Sequence, residues 1–338
     1  MTLKGALIGL GNIAVRGHVP AYLSEEIRSS LELVAVMDVV AQNREKAHEY
    51  LPGTRFYTDV ASLLAVEPLD FVDICTPPHT HAAYLEAFAA KGIHCLCEKP
   101  LVEHDSKTAA VERAVRGAGI VFMPCHQYKY SPLWKTIHDL IASGELGTVT
   151  MSQFNVYRLQ ADSGTAAWNP QWRTNKAQSG GGILVDTGAH YLYLAQYFFG
   201  MPKNVSALLR TLKHADYGVE DTASVVLEYP GMLMQMTLTW AASGRANSVF
   251  IAGSKGSLSY DGTRLILAGA DGTREIPMPD VSDKKQYVAW YAALLKDFHA
   301  RISAKDTSDD LLVEATTVMK LLDMSYRSSE EQRIIPFA

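Results

Sequence analysis

Residues 93–101 read Ile-His-Cys-Leu-Cys-Glu-Lys-Pro-Leu, and this stretch predicts a strand that ends in charged residues. Five uncharged, mostly apolar residues precede Glu98, a pattern typical of a strand buried on both faces of a parallel sheet. In such sheets the ligand crevice lies beyond the carboxyl ends of the strands, where Glu98 and Lys99 would lie. Pro100 restricts the backbone and favours an extended Lys99. The stretch is consistent with a lysine placed for chemistry and equally with a solvated lysine at a strand end.

A second apolar strand, Leu3 to Ile8, runs directly into residues 9–14, Gly-Leu-Gly-Asn-Ile-Ala. This matches G-x-G-x-x-G/A, in which the small residues permit a tight turn, close approach of the backbone to a pyrophosphate, and close helix–strand packing. A helix over about residues 13–23 would point its N-terminal amides at the phosphate. The alternative is a strand–turn–helix unit that binds no nucleotide.

Asp38 ends the next predicted strand, Leu33 to Met37, and follows Ala14 by 38 − 14 = 24 residues. A dinucleotide-binding acid is expected roughly 20 residues after the glycine motif. A carboxylate there accepts hydrogen bonds from both ribose hydroxyls and repels a 2′-phosphate. The first cation after Asp38 is Arg44, so the sequence favours NAD over NADP as cofactor.

Strands and helices continue to alternate as far as Met123, which predicts a doubly wound parallel sheet and a dinucleotide-binding domain over residues 1–123. The turn Thr76-Pro77-Pro78 follows a further strand at the cofactor edge of this sheet. His79 and His81 come next. They are placed to reach the cofactor, with helix capping or a surface position as the alternative.

The alternation breaks down after residue 123, and residues 124–338 are predicted to form a substrate-binding and oligomerisation domain around a mostly antiparallel sheet. Thr222 to Tyr229 and Met232 to Trp240 alternate with period two around Pro230-Gly231, as in a hairpin. One face of the second strand is apolar from Met232 to Trp240. With few helices to cover such a face, we expect a homodimer or homotetramer through the sheet; burial within the chain is the alternative.

Residues 179–190, Ser-Gly-Gly-Gly-Ile-Leu-Val-Asp-Thr-Gly-Ala-His, form the second motif-rich stretch. Its glycines would let the backbone approach a ligand closely. Asp186 and His190 are four residues apart and share one face of a predicted helix, so the carboxylate would tune the histidine as a base. Arg158, Trp172 and Arg173 lie upstream. Arginine offers paired donors to oxygen atoms and tryptophan a flat apolar face, which suit a sugar, polyol or carboxylate.

Composition limits the function classes. The net charge is 31 − 36 = −5, which disfavours binding to nucleic acid or to a membrane surface. No apolar run approaches the ~20 residues of a membrane span, and no signal peptide is expected because the first strand starts at once. The four cysteines lack zinc spacing and resemble small buried hydrophobes of a reducing cytoplasm, so no metal site and a cytoplasmic location are expected.

Over nearly its whole length the chain resembles the glucose–fructose oxidoreductase / inositol dehydrogenase (Gfo/Idh/MocA) family. Residues 9–14 resemble its dinucleotide fingerprint, Glu98-Lys99-Pro100 its Glu-Lys-Pro motif, and residues 181–190 its Gly-Gly-x-x-x-Asp-x-Gly-x-His motif. Thr76-Pro77-Pro78 with His81 is similar to a family turn near the nicotinamide. The chain departs from the family at residues 127–130, Gln-Tyr-Lys-Tyr, where members often carry Asn-Arg-Phe in a region that touches substrate.

The resemblance implies an α/β fold: an N-terminal Rossmann domain and a C-terminal α/β domain with a large open sheet, whose C-terminal helices can pack back on the first domain. It implies catalytic roles for Lys99, Asp186 and His190. The residues expected to contact the cofactor are Gly9, Gly11, Asn12, Ile13, Asp38, Thr76, Pro77, His81, Glu98 and Lys99. Those expected to contact substrate are Lys99, Tyr128, Arg158, Trp172, Arg173, Asp186 and His190.

The resulting hypothesis is an NAD(P)-dependent dehydrogenase acting on a secondary alcohol of a sugar, polyol or related small molecule. His190 would accept the hydroxyl proton, Lys99 would stabilise the developing alkoxide, and Asp186 would hold His190 ready. Two alternatives remain, and only the second uses the same residues, since a regulator has no need for Lys99, Asp186 and His190 together. One is a non-catalytic dinucleotide-binding regulator on the same fold, and the other is a sugar-modifying enzyme that uses NAD only transiently. Fold alone does not choose among them.

Overall fold

The structure is a computed structural model that describes residues 2–279 and 283–337. Residues 1, 280–282 and 338, which the predicted domain ranges include, lie outside the described residues. Of the helices described, none is both long and apolar enough to cross a lipid bilayer.

The first sheet is parallel, with six strands in the order β3–β2–β1–β4–β5–β6. Its strands are β1 (Leu3–Ile8), β2 (Leu31–Met37), β3 (Arg55–Tyr57), β4 (Phe71–Ile74), β5 (His94–Cys97) and β6 (Phe122–Pro124). This order is that of a dinucleotide-binding Rossmann fold, with the chain reversing direction across the sheet between β1 and β4. The predicted doubly wound parallel sheet is therefore confirmed.

Helices cover both faces of this sheet. They are α1 (Val19–Tyr22), α2 (Asn43–Tyr50), α3 (Val60–Val66), α4 (His81–Ala89) and α5 (Thr108–Ala118). A π-helical turn, Ala14–His18, leads into α1, and short 3₁₀ turns, Pro78–Thr80 and Asp105–Lys107, lead into α4 and α5. Each crossover returns the chain to the same edge, so β1, β2, β4 and β5 all end beside one another.

The second sheet has nine strands in the order β14–β13–β12–β11–β7–β10–β9–β8–β15. Its strands are β7 (Val149–Tyr157), β8 (Asn204–Arg210), β9 (Thr222–Tyr229), β10 (Met232–Thr239), β11 (Ala246–Gly253), β12 (Gly256–Tyr260), β13 (Arg264–Gly269), β14 (Gly272–Pro277) and β15 (Ile335–Pro336). The predicted hairpin is present as β9 and β10. β7 and β10 run parallel at the centre, whereas the other strand pairs of this sheet within the described residues are antiparallel. The large, mostly antiparallel sheet is thus confirmed.

The remaining helices are α6 (Pro132–Ala142), α7 (Lys176–Ser179), α8 (Ala189–Phe199), α9 (Tyr287–Ala304) and α10 (Asp310–Glu331). Short 3₁₀ turns cover Gln127–Tyr130, Trp172–Thr174 and Lys284–Gln286, and a π-helical turn, Leu184–Gly188, precedes α8. At the start of α6 the Ser131 side chain accepts a hydrogen bond from the Trp134 amide (3.3 Å), the usual serine N-cap.

The two C-terminal helices take different places. α9 lies against the first sheet, where Phe298 makes an edge-to-face contact with Phe71 (5.9 Å between ring centres). α10 lies under the second sheet, where Ser328 Oγ accepts a hydrogen bond from the Ala207 amide of β8 (3.0 Å). The domain boundary between residues 123 and 124 stays a prediction.

The prediction that the methionine-rich face of β10 needs a second copy of the chain is wrong. Met234, Met236 and Leu238 are fully buried within the chain and share one hydrophobic core with residues of α8 and α10. The helices that cover this face come from distant parts of the chain. The opposite face is the one left open, and it exposes Leu233.

Candidate active site

One cleft of about 870 Å³ runs between the carboxyl edge of the first sheet and the second sheet. Most of the side chains predicted to be functional line it. They are Gly9, Gly11, Asn12, Ile13, Asp38, Thr76, Pro77, Glu98, Lys99, Tyr128, Arg158, Trp172, Arg173, Asp186 and His190.

The turn after β1 has the shape that a dinucleotide needs. Gly9 has a φ of +92°, and a Cβ there would lie 2.7 Å from Thr76 Cγ2, so a larger residue fits neither the conformation nor the space. At Gly11 an added Cβ would approach protein atoms no closer than 4.0 Å, so the missing side chain leaves open cleft. The glycines therefore fit a ligand that passes close to the backbone.

Asp38 lies at the cleft wall after β2. Its carboxylate accepts hydrogen bonds from the amides of Leu10 (2.7 Å) and Val40 (2.8 Å), which fix its orientation and leave further acceptor capacity. Together with the glycine turn, this carboxylate fits the ribose and pyrophosphate of a dinucleotide. Lys46, which the sequence interpretation missed, also lines this end of the cleft and donates to the Leu10 carbonyl (3.3 Å).

His81 is not a ligand-contacting side chain, which corrects the prediction. It is fully buried, and its ring nitrogens pair with the carbonyl oxygens of Thr76 (2.7 Å) and Pro100 (3.0 Å). Burial lowers the pKa of His81, and the hydrogen bonds to the Thr76 and Pro100 carbonyl oxygens act in the opposite direction. It therefore holds the two turns that follow β4 and β5 together from behind.

Lys99 joins the two halves of the cleft. Its backbone follows β5, and its Nζ donates a hydrogen bond to the carbonyl oxygen of Asp186 (2.5 Å) on the second half. The lysine thus lies within the cleft and not on a solvated strand end, where its ammonium can meet a ligand oxygen.

The Glu98 carboxylate accepts from the Lys99 amide (3.1 Å) and belongs to a buried polar cluster. His18 pairs with Asp73 (2.7 Å) and with Glu98 (3.0 Å), and the Tyr291 hydroxyl from α9 also donates to Glu98. Burial on its own lowers the pKa of His18, but the two carboxylates outweigh it and raise the pKa to about 9. Glu98 therefore anchors the strand end that carries Lys99. No sequence pattern joined these four residues, which come from separate elements.

Asp186 and His190 do not act on each other in the way their spacing suggested. The Asp186 carboxylate accepts from Arg173 Nε (3.0 Å), while His190 Nδ1 pairs with the Tyr193 hydroxyl (2.9 Å). The π-helical turn Leu184–Gly188 contains Asp186, so regular α-helical spacing does not extend through the motif. Arg173, not His190, is the partner of the carboxylate.

His190 is held as a neutral ring. It stacks on Tyr128 with 4.2 Å between ring centres. Burial lowers the pKa of His190 well below its usual value, and the positive charges of Lys99 and His126 act in the same direction. A neutral imidazole at the cleft wall can accept a proton at neutral pH.

The three glycines before this turn serve packing, which corrects the expectation of close approach to a ligand. A Cβ on Gly180 would lie 2.0 Å from the Glu103 carbonyl oxygen, and one on Gly182 would lie 1.8 Å from the Glu220 carbonyl oxygen. The Glu220 carboxylate in turn accepts from the amides of Gly182 (3.0 Å) and Leu184 (3.1 Å). These contacts lock the segment that carries Asp186.

A loop over residues 159–171 crosses the cleft from the second half. The Ser163 carbonyl accepts from Asn12 Nδ2 (3.1 Å) in the glycine turn, and the Trp168 ring stacks with His79 at 6.2 Å. Trp172 lies beneath the Arg173 guanidinium at 4.3 Å. Tyr287 and Arg245 also line the cleft. Sequence reasoning missed both, because neither lies in a motif.

Comparison with known proteins agrees with this architecture. Residues 3–126 match the model of the oxidoreductase family with an NAD-binding Rossmann fold, and residues 134–259 match the Gfo/Idh/MocA C-terminal domain. The chain is 27% identical to D-apiose dehydrogenase of Paraburkholderia graminis over 80% of this chain and 71% of that protein. It is 31% identical to D-xylose 1-dehydrogenase (NADP(+)) 2 of Haloferax volcanii over 66% and 65%.

The fold is also found among solved structures. An oxidoreductase from Agrobacterium radiobacter, solved with NAD+, L-tartaric acid and magnesium, superimposes with a TM-score of 0.88 at 21% identity. The match covers 99% of this chain and 98% of that one. At this identity the likeness concerns the fold.

Proposed function

Because this chain belongs to the Gfo/Idh/MocA family of oxidoreductases with an NAD-binding Rossmann fold, we propose that it oxidises a secondary alcohol of a sugar, polyol or related compound with NAD. One observation carries the proposal. Lys99 and His190 line one end of a cleft whose other end is formed by the glycine turn and Asp38.

The chain's own groups divide the work. When bound, the nicotinamide supplies the acceptor for the hydride that leaves the carbinol carbon. The hydroxyl proton goes to the neutral ring of His190, so alcohol becomes carbonyl with one hydride and one proton removed. In this arrangement Nδ1–H donates to the Tyr193 hydroxyl oxygen (2.9 Å), and the lone pair of Nε2 accepts the proton. The Lys99 ammonium donates to the oxygen as negative charge develops there.

Replacement of Lys99 tests the role assigned to its ammonium group. Lys99→Met removes the ammonium but keeps an unbranched side chain, so turnover should fall by ~10²–10⁴-fold while NADH still binds. The measurement is kcat on a panel of sugars, inositols and diols, with NADH binding followed by fluorescence. The exposed Lys91→Met serves as control. Unchanged turnover in Lys99→Met would refute the catalytic role. Loss of NADH binding in a folded variant would show that Lys99 binds the cofactor instead.

We also propose that NAD is preferred over NADP, on the basis of the Asp38 carboxylate at the ribose end of the cleft. Asp38→Ala should weaken NAD binding more than NADP binding, because the alanine neither accepts from the ribose hydroxyls nor repels a phosphate. Lys46 lies at the same end of the cleft, so NAD and NADP binding by Lys46→Met is the matched comparison for Asp38→Ala. Equal weakening of both cofactors by Asp38→Ala contradicts the assignment.

We propose further that copies of the chain associate through the open face of the second sheet as a homodimer or homotetramer. Met151, Leu208, Leu233 and Phe250 all point to this face and are exposed. Light scattering after size exclusion should report an oligomer that Leu233→Asp dissociates. A wild-type monomer would overturn the proposal.

A cytoplasmic location is proposed from the cysteines, since Cys75, Cys95, Cys97 and Cys125 are all buried free thiols. Cell fractionation of the source organism tests it, and recovery in a secreted fraction would contradict it.

A further inference from the structure

The parallel pair at the centre of the second sheet brings two arginines to the cleft. β7 and β10 end at the same edge because they run parallel. Arg158 follows β7 directly, and Arg245 lies in the turn between β10 and β11. Both line the cleft. β11 pairs with β7 in the register Ala246 opposite Tyr157, which places Arg245 near Arg158 although the two are far apart in the sequence.

Arg158 is oriented by neutral groups alone. Its Nη1 donates to the carbonyl oxygens of Tyr157 (2.8 Å) and Ala246 (3.2 Å), and its Nη2 donates to Asn247 Oδ1 (2.9 Å). No carboxylate among residues 2–279 and 283–337 pairs with it. The guanidinium therefore keeps its full charge and retains an Nε–H and an Nη2–H. Such a donor pair matches the two oxygens of a carboxylate.

Arg245 adds a second uncompensated charge at the rim. Its side chain is exposed, and no residue within the described ranges gives it a hydrogen bond or an ion pair. Arg173 differs, since Asp186 neutralises it (3.0 Å). The charged residues at this end of the cleft are Lys99, Arg158, Arg173 and Arg245 against Glu98, Asp162 and Asp186. The excess is positive.

These charges lie at the reacting end of the cleft. Burial raises the pKa of Tyr128, and both Arg158 and Arg245 act on that hydroxyl in the opposite direction. Because the Tyr128 ring stacks on His190 at 4.2 Å, the two arginines lie at the His190 end of the cleft and not at the end near Asp38.

We propose that the substrate is a sugar acid whose carboxylate binds Arg158 and Arg245 while a secondary hydroxyl of the same molecule meets Lys99 and His190. This deepens the proposed function and rests on it. A charge-assisted bidentate hydrogen bond to a carboxylate discriminates against a neutral analogue by about 100-fold in kcat/KM.

Matched pairs of compounds test the assignment with the NAD-loaded protein. D-Gluconate is compared with D-glucitol, and D-glucuronate with D-glucose, since each pair differs only at the carboxylate position. We expect at least one acid to exceed its neutral partner by about 100-fold in kcat/KM. D-Glucose 6-phosphate is included, and its preference over both acids overturns the carboxylate assignment.

Two variants and a control sharpen the test. Arg245→Gln removes the charge without removing a hydrogen bond or ion pair to a described residue, and it should lower the acid-over-neutral ratio about tenfold or more. Arg158→Lys keeps the charge but loses the planar donor pair and should also lower the ratio. Arg113→Gln, which removes an exposed arginine on α5 away from the cleft, should leave the ratio unchanged.

The outcomes separate this inference from the proposed function. Turnover of the neutral members at the same or higher kcat/KM than the acids overturns the inference and leaves the dehydrogenase standing. Where none of the compounds turns over, isothermal titration must show an acid binding the NADH-loaded protein more tightly than its partner, or the inference fails. Absence of NADH and NADPH binding refutes the dehydrogenase itself.

Discussion

The buried cluster around His18 makes stability depend on pH in a calculable way. His18 is fully buried between Asp73 (2.7 Å) and Glu98 (3.0 Å). These carboxylates hold the imidazole protonated in the folded protein, because they raise the pKa of His18 from 6.5 to about 9 despite the opposing effect of burial. In the unfolded chain the same histidine titrates at its ordinary pKa.

The sign follows from the direction of the shift. Below pH 6.5 both states bind the proton, and the stabilisation by the ion pairs is fully present. Between pH 6.5 and about 9 only the folded state keeps the proton on His18. The free energy of unfolding therefore falls by roughly 1.4 kcal/mol per pH unit. Over the whole interval the loss amounts to about 3 kcal/mol.

Urea denaturation followed by circular dichroism from pH 6 to pH 9.5 measures this loss. His18→Gln removes the titrating group and should abolish the His18 part of the slope. It should also destabilise the protein by about 3–5 kcal/mol at pH 6, because two buried carboxylates lose their cation. His48→Gln, at an exposed histidine on α2, is the matched control and should retain the wild-type slope.

A direct titration covers the case in which His18→Gln does not fold. The imidazole resonance of His18 in the wild-type protein should shift with a midpoint near pH 9. A midpoint at or below pH 6.5, or equal slopes in wild type and His18→Gln, would refute the reasoning and show that desolvation outweighs the carboxylates.

Three further predictions concern the cleft and the core. Tyr193→Phe removes the partner of His190 Nδ1 (2.9 Å) and should lower kcat by about 5–10-fold while NADH affinity stays unchanged. Stopped-flow kinetics measures kcat, and fluorescence titration measures NADH affinity. An unchanged kcat excludes a positioning role for Tyr193. Gly182→Ala places a Cβ 1.8 Å from the Glu220 carbonyl oxygen and should destabilise the fold by at least about 1–3 kcal/mol in urea, whereas wild-type stability would contradict that packing. Trp134→Ala removes a fully buried side chain and should lower the free energy of unfolding by about 3–5 kcal/mol, whereas Trp168→Ala on the exposed loop should lower it little. Equal losses of stability in the two variants would contradict the burial pattern.

The sequence by itself determined the Rossmann half and the hairpin of the second sheet. Apolar runs such as Leu3 to Ile8, the glycine turn that follows and Asp38 are local patterns, and each reflects a short-range requirement of backbone geometry or burial. The alternation along Thr222 to Tyr229 likewise reports which face is buried. Local physics is enough for such features, because neighbours in sequence supply the constraint.

Tertiary structure alone decided what the motifs contact. His81 turns inward to backbone carbonyls, and Asp186 pairs with Arg173 instead of His190, because a π-helical turn changes the local geometry. Arg158 and Arg245 line the same part of the cleft because β7 pairs with β10 in parallel and with β11 in the register Ala246 opposite Tyr157, an arrangement that no local pattern encodes. Contacts between residues far apart in the chain depend on how whole elements pack, and that is settled only when the core forms.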